Sequence, residues 1–168
     1  RARQLLQDSE RYARSLFALS PVSLWVEDFS GVKRLLDEAR EGGIQDFRVF
    51  ISVHHEFVAR CMAQIKVLDV NQKTLEMFGA KNKSELLSQL GHIFRDEMAV
   101  SFADQLADLW QGQLTQTREV VNYSLGGDLI NIHMQFVVMP GHEAHWDLVL
   151  LSLIDITARK KAEAYLEY

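Results

Sequence analysis

Few residues in this sequence combine the types and spacing that chemistry needs, and a short stretch with two histidines comes first. His142-Glu143-Ala144-His145 places two imidazoles three residues apart. In a hairpin loop, two such rings could converge on one metal ion. The spacing differs from the His-Glu-x-x-His of metalloproteases, and no cysteine is near in sequence. We therefore expect a solvated turn here and no metal site.

A second group combines His54, His55 and Cys61. His54 and Cys61 would share a face of a helix, which allows a metal site or a reactive thiol. A polar pair at a helix start, followed by one buried cysteine, explains the same residues. We favour that second interpretation.

Signatures of catalysis are missing from the rest of the sequence. There is no Gly-x-Ser-x-Gly, and Gly42-Gly43 and Gly126-Gly127 are typical of turns, not of phosphate-binding loops. The acidic residues are scattered over predicted helix faces. We therefore predict that this chain is not itself an enzyme.

Composition limits the class of protein. The 168 residues, 48% of them hydrophobic, suit one domain with a core. A net charge of −5 argues against nucleic acid as a partner. The single cysteine excludes an internal disulfide and suits the cytoplasm. No apolar run approaches the roughly 20 residues that span a bilayer. Because the chain opens on Arg1, we interpret it as part of a longer protein, which could itself be attached to a membrane.

The periodicity of apolar residues gives the element order. It predicts a helix, a strand, two helices, a strand, three helices, three strands and a final helix. Asn71 is placed to cap a helix over 72–78, and Gly79 to end it. Gly126-Gly127 separates two strands of a hairpin. The last strand is apolar on both faces, so we expect it to be central and covered on both sides. Antiparallel strands around a helical middle imply an α+β domain.

Three segments in this order resemble the PAS domain family. They are "IKVLDVNQKTLEMFGAKNKSELLSQL", "NYSLGGDLINIHMQFVVMPG" and "LSLIDITARKKAEAYL". They are similar to that family's strand–Asn–helix–Gly–helix core, its paired late strands, and its last strand with a closing Asp-Ile-Thr and an exit helix. The resemblance implies a five-stranded antiparallel sheet with helices on one face.

The resemblance also divides the chain. It implies an N-terminal linker or dimerisation helix over 1–19, a PAS domain over 20–157, and the start of a C-terminal signalling helix over 158–168. One departure is that PAS domains usually join their first two strands by a short turn. Here residues 31–64 intervene as a predicted two-helix insertion, which could either block the family's ligand cavity or line it.

A sensory or dimerising role follows from the resemblance. Asp155 and Thr157 stand where the last strand meets the exit helix, and both can bond local backbone groups. They could transmit a change to a covalently linked effector, or only cap the helix, and the two roles are compatible. The tail "ARKKAEAYLEY" resembles the linker before a diguanylate cyclase (GGDEF) domain. The alternatives are a histidine kinase of a two-component system and a ligand-free dimerisation or docking module. We expect a parallel homodimer through the terminal helices.

A small organic ligand is the cofactor that the resemblance leaves open. Large apolar residues of the helical middle would face the sheet, and polar groups on a strand could orient a ligand. The candidate pocket residues are Phe78, Phe94, Phe102, Leu106, Trp110, His133 and Gln135. The other interpretation is a filled core, with the two polar residues pointing outward. We do not expect haem, because 98–112 holds no histidine, or covalent flavin, because Asn-Cys-Arg-Phe is absent.

Overall fold

A computed structural model describes residues 1–95 and 97–166. The strands are β1 (Ser23–Asp28), β2 (Lys66–Val70), β3 (Thr115–Tyr123), β4 (Leu129–Val138) and β5 (Val149–Asp155). The helices are α1 (Ala2–Leu19), α2 (Ser30–Glu41), α3 (Phe47–Val53), α4 (His55–Ala63), α5 (Gln72–Phe78), α6 (Lys83–Ser88), α7 (Leu90–Ile93), α8 (Glu97–Trp110) and α9 (Thr157–Leu166). The predicted signalling helix over 158–168 ends in two residues that lie outside the described part.

The five strands form one antiparallel sheet in the order β2-β1-β5-β4-β3. The predicted α+β class, its antiparallel sheet, its N-terminal helix and its exit helix are confirmed. β5 is the central strand, as its apolar sequence predicts. It is well covered only on its inner face, because Ile154 on the outer face is 46% exposed. The expectation of cover on both faces fails for this chain, since its helices pack on one side of the sheet.

Strict alternation along the strands builds that inner face. On β4, every second residue from Ile130 to Val138 is buried, while the residues between them are half-buried or exposed. The period of two sends the buried set toward α8 and the other set to the opposite face. The core therefore lies between one face of the sheet and the helices.

The insertion contains three helices, one more than the sequence predicts. Asp46 begins the additional helix α3, because its carboxylate accepts a hydrogen bond from Val49 N at 3.2 Å. The insertion docks on α8 through Trp110, whose ring stacks on Phe47 at a centroid distance of 4.5 Å. The guanidinium group of Arg40 also lies over the Trp110 ring, 4.0 Å from its centroid. This packing fixes the insertion against the domain.

The predicted helix ends around Asn71 are confirmed. The Asn71 side chain accepts from Thr74 N at 3.1 Å at the start of α5, and Gly79 ends that helix with φ of 73°. Such a left-handed backbone favours glycine. Asn82 caps α6 by accepting from Glu85 N at 2.8 Å. Within the described residues, no helix is both long enough and apolar enough to cross a membrane.

Candidate functional site

A cavity of about 410 Å³ lies between the inner face of the sheet and the helices. This size is within the range of pockets that hold small molecules. The sheet contributes Trp25, Glu27, Val67, Val120, Asn122, Met134, Leu151 and Leu153. The other side consists of Phe29, Ala59, Met62, Ala63, Ile65, Leu90, Gly91, Phe94, Met98, Phe102 and Gln105. The lining is thus mostly apolar, with three polar side chains.

The insertion forms part of the cavity wall. Ala59, Met62 and Ala63 of α4 all line it. Two of these three are alanines, and small side chains leave space where larger ones would fill it. Of the two roles open from the sequence, blocking or lining the cavity, the structure therefore favours lining.

The predicted pocket residues divide into groups. Phe94 and Phe102 line the cavity. Phe78 and Leu106 are fully buried in the core without lining it, and Phe78 packs edge-on against Trp25 at 5.7 Å. Trp110 instead contacts the insertion through Phe47. Burial of large apolar residues on the middle helices was thus foreseeable, but their division between core and cavity depends on how the helices cross the sheet.

His133 and Gln135 do not reach the cavity. They lie on β4 between the buried Ile132, Met134 and Phe136, so alternation sends them to the opposite face. His133 is opposite Glu119 on β3, and Gln135 is opposite Ser152 on β5. The orienting role proposed for them is therefore not supported, because the apolar positions of the same strand determine which face they take.

Glu27 is an acidic residue of the cavity wall whose inward position its own polarity does not predict. It follows Trp25 by two positions on β1, so both side chains point inward. The side chains of Leu24 and Val26 lie on the outer face. Hydrophobicity alone would place these two apolar residues inward and Glu27 outward. The sequence signal for the inward position of Glu27 is Trp25, a large side chain that faces inward two positions earlier. A bulge lies beside it, since Glu27 pairs with Val67 whereas Val26 pairs with Asp69.

The carboxyl group of Glu27 is buried and has no partner in the part of the chain that the structure describes. The residue is 4% exposed, and its side chain forms no hydrogen bond or ion pair with a described residue. Burial disfavours the charged form and raises the pKa of Glu27 to about 8. The Glu27 side chain is therefore mainly a neutral carboxylic acid at pH 7.

Two amide side chains form a second polar region. Gln105 on α8 and Asn122 on β3 are buried and line the cavity. Gln105 Nε2 and Asn122 Oδ1 have no hydrogen-bond partner among the residues that the structure describes. Three strand spacings separate β1 from β3, or about 14 Å along the sheet. The amides are thus distant from Glu27, and one small polar group cannot contact both regions.

A buried hydrogen-bond network holds β1 in place. Trp25 Nε1 donates to Ser23 Oγ at 3.2 Å, and Ser23 Oγ lies 2.7 Å from Thr74 Oγ1. Asn71 Oδ1 accepts from Leu24 N at 3.0 Å. The network joins β1 to the start of α5, so it fixes the strand that carries Trp25 and Glu27 into the cavity.

The joint between β5 and α9 is bonded to the neighbouring strands. Thr157 N donates to Asp155 Oδ1 at 2.9 Å, and Thr157 Oγ1 accepts from Asn131 N of β4 at 2.9 Å. Arg159 and Lys160 form ion pairs with Glu119 of β3. Asp155 thus accepts from the backbone N–H of the first residue of α9, whereas the Thr157 hydroxyl bonds β4 and no described backbone group of the helix. The contacts with β3 and β4 also attach the start of the helix to the sheet.

The histidine clusters have ordinary partners. His142 Nδ1 lies 2.9 Å from Asp147 Oδ1, and His54 Nδ1 lies 3.0 Å from Glu56 Oε1. No group of three or more potential ligands that could hold a metal occurs among the described residues. Cys61 is fully buried, and burial raises the pKa of its thiol to about 12. Since the thiolate is the reactive form, this thiol is suited to packing, not to chemistry.

Comparison with solved structures identifies the fold. A PAS domain from Colwellia psychrerythraea superposes with a TM-score of 0.57 at 14% identity, covering 89% of this chain and 97% of that one. The chain has a PAS-like fold. A Rhodobacter sphaeroides LOV protein gives 0.57 at 18% identity, covering 90% of this chain and 69% of that one. A domain of a sensory box sensor histidine kinase/response regulator from Geobacter sulfurreducens gives 0.51 at 15%, covering 88% and 95%.

Sequence comparison alone matches the chain to no family model and to no curated protein. At identities this low, the structural likeness establishes the fold and leaves function to the site.

Proposed function

We propose that this PAS-like domain is a sensory input module. It binds a small molecule in the cavity and transmits the resulting change through α9 to a linked effector. The observation that carries the proposal is that one strand, β3, serves both ends of this path. Val120 and Asn122 line the cavity. Glu119, the residue before Val120 on the same strand, forms ion pairs with Arg159 and Lys160 of α9.

The path from cavity to helix is short and consists of regular elements. A ligand that displaces the β3 backbone at Asn122 would also displace Glu119, because both residues belong to the same strand. Glu119 then moves relative to β5, and its two ion pairs act on the first turn of α9. The bond from Asn131 N to Thr157 Oγ1 ties β4 to the same turn. A rotation or shift of the exit helix is the expected output.

The effector that we favour is a diguanylate cyclase. Its support is the sequence of the tail after Asp155-Ile156-Thr157, which resembles the linker that precedes such domains. A histidine kinase is the alternative, and the Geobacter neighbour carries that description.

A ligand-free homodimerisation module is a second candidate function. The apolar residues Leu5, Leu6, Tyr12 and Leu16 of α1 are all more than half exposed, which favours a partner surface there. This function needs no ligand in the cavity. The two candidates are compatible in one protein, so binding and transmission must be measured separately.

Native mass spectrometry with a metabolite screen tests the first step, and hydrogen exchange tests the second. A ligand found in the screen should change the exchange rates of α9 amides. The double variant R159Q/K160Q should bind that ligand normally and lose the change, because the ion pairs with Glu119 are removed. Lys161→Gln is the matched control, since Lys161 is exposed and forms no ion pair with a described residue.

Each step has its own contradicting result. Binding without any change in α9 would contradict transmission through the exit helix. Failure of every compound to bind would contradict ligand sensing and leave the dimerisation module as the function.

A further inference from the structure

Glu27 is a buried acid whose position has no structural explanation within the chain. A carboxyl group in an apolar environment without a hydrogen bond destabilises the fold, and buried charges are normally paired. Glu27 is 4% exposed, unpartnered, and directed into the cavity from a strand held by a buried polar network. A glutamine or leucine of similar size would be more stable there. A partner from outside the chain would explain the residue.

The surroundings of Glu27 point to a cation. Among the described residues, no lysine, arginine or histidine lines the cavity, so this part of the chain places no counter-charge there. The aromatic rings of Trp25, Phe29, Phe94 and Phe102 line it instead. Aromatic faces attract ammonium groups, and a carboxylate beside them completes the usual recognition of an organic cation.

We propose that the cavity binds a small organic ammonium compound, with an apolar body against the aromatic rings and its charge paired with Glu27. The inference rests on the proposed sensory function, because it names the class of ligand for the same cavity. The ligand forms the ion pair with Glu27 that no described residue forms. The volume of about 410 Å³ suits a compound of aralkylamine size.

The second polar region extends the description of the ligand. Gln105 Nε2 is an unused donor and Asn122 Oδ1 an unused acceptor. They lie on the far side of the cavity from Glu27, next to β3. A hydroxyl or carbonyl at the end of the ligand opposite its ammonium group would satisfy one of them. A ligand with both groups would span the cavity from β1 to β3, where the path to α9 begins.

Matched amines and alcohols test the class directly. The probes are a series of primary amines from butylamine through 2-phenylethylamine to 2-(1-naphthyl)ethylamine, each beside the alcohol of the same skeleton. Binding to the 168-residue chain is measured by isothermal titration calorimetry at pH 7.5. At least one amine should bind ten-fold or more tightly than its alcohol, because only the amine can pair with Glu27.

Two variants assign the effect to the carboxyl group. Glu27→Gln keeps the shape of the side chain and removes its charge, so amine affinity should fall at least ten-fold while alcohol affinity stays the same. Glu76→Gln is the matched control, because Glu76 is exposed on α5 outside the cavity. It should bind every probe as the parent chain does. Circular dichroism verifies that both variants are folded.

The outcomes separate this inference from the proposed function. Alcohols that bind as tightly as their amines, or amine binding that survives Glu27→Gln, would overturn the ammonium class and leave ligand sensing intact. If no amine and no alcohol binds, the inference is rejected, and ligand sensing in this cavity loses its support as well.

Discussion

At the scale of single residues, Glu27 determines the character of the cavity. Its place on the inner face follows from Trp25, since both lie on the same side of β1. The bulge between β1 and β2 lies next to it, where the pairing skips Leu68. The carboxyl group consequently enters an apolar space with no partner. Its electrostatic cost should be measurable as a dependence of stability on pH.

Substitution of Glu27 by glutamine should raise stability increasingly as the pH rises from 4.5 to about 8. Burial raises the folded-state pKa to about 8 from an ordinary value of 4.5. Below pH 4.5 the group is protonated in both states and adds no pH-dependent cost. Between these values the unfolded state loses its proton first, so the free energy of unfolding falls by about 1.4 kcal/mol per pH unit. Above pH 8 the loss is complete, at roughly 5 kcal/mol as an upper bound.

Urea unfolding of the parent chain and of Glu27→Gln between pH 4 and pH 9 measures this difference. The gap in unfolding free energy should be smallest near pH 4 and grow until about pH 8. Glu76→Gln should show no such growth, because that side chain is exposed. A gap of constant size over the whole range would mean that Glu27 does not keep its proton in the folded chain.

At the scale of elements, Asn71 illustrates how one cap can organise several segments. Its Oδ1 accepts from Leu24 N and from Thr74 N, at the edge of β1 and the start of α5. Its Nδ2 donates to Phe17 O at 3.0 Å and to Val22 O at 2.9 Å. The residue is 2% exposed. Asn71 therefore joins α1, β1 and α5, well beyond the helix cap that its sequence position indicates.

Asn71→Ala should destabilise the chain by roughly 3 kcal/mol, because buried backbone groups lose their partners in addition to the cap. Asn82→Ala removes an exposed cap of the same residue type and should cost about 1 kcal/mol. Urea unfolding at pH 7 compares the two. Equal losses would show that the contacts of Asn71 with α1 and β1 contribute little.

The elements were largely predictable from the sequence, and the reason is local. The strand alternation, the Asn71 and Asn82 caps and the Gly79 stop depend on neighbouring residues only, and all of them are found. The third helix of the insertion is less visible, since α3 spans only seven residues. A helix that short gives little periodicity to read.

The cavity was predictable only in part, because it depends on tertiary packing. Phe94 and Phe102 line it, as large apolar residues of the middle helices can. The inward position of Glu27 is not predictable from hydrophobicity, because the outward residues of β1 are more apolar than Glu27 itself. His133 and Gln135 were assigned to the cavity for their polarity, whereas the alternation of β4 puts them on the other face.

At the scale of the whole molecule, apolar side chains of the described residues are exposed on two surfaces. One is the stripe of α1, where Leu5, Tyr12, Leu16 and Leu19 repeat at intervals of three, four and seven. That spacing is typical of a coiled-coil seam. The other is the outer face of the sheet, where Ile154 is 46% exposed. A second copy of the chain would cover one or both, which supports the proposed parallel homodimer.

Leu16→Glu should weaken this dimer at least ten-fold, because it places a charge in the middle of the apolar stripe of α1. Leu16 is 56% exposed in the single chain, so the folded monomer should tolerate the change. Val49→Glu is the matched control, since Val49 on α3 is 58% exposed and lies away from α1. Sedimentation velocity over a concentration series measures the dissociation constant of each chain. If the parent chain stays monomeric at high concentration, and added downstream residues do not change that, the terminal helices do not form a dimer seam and α1 must pack against a different partner.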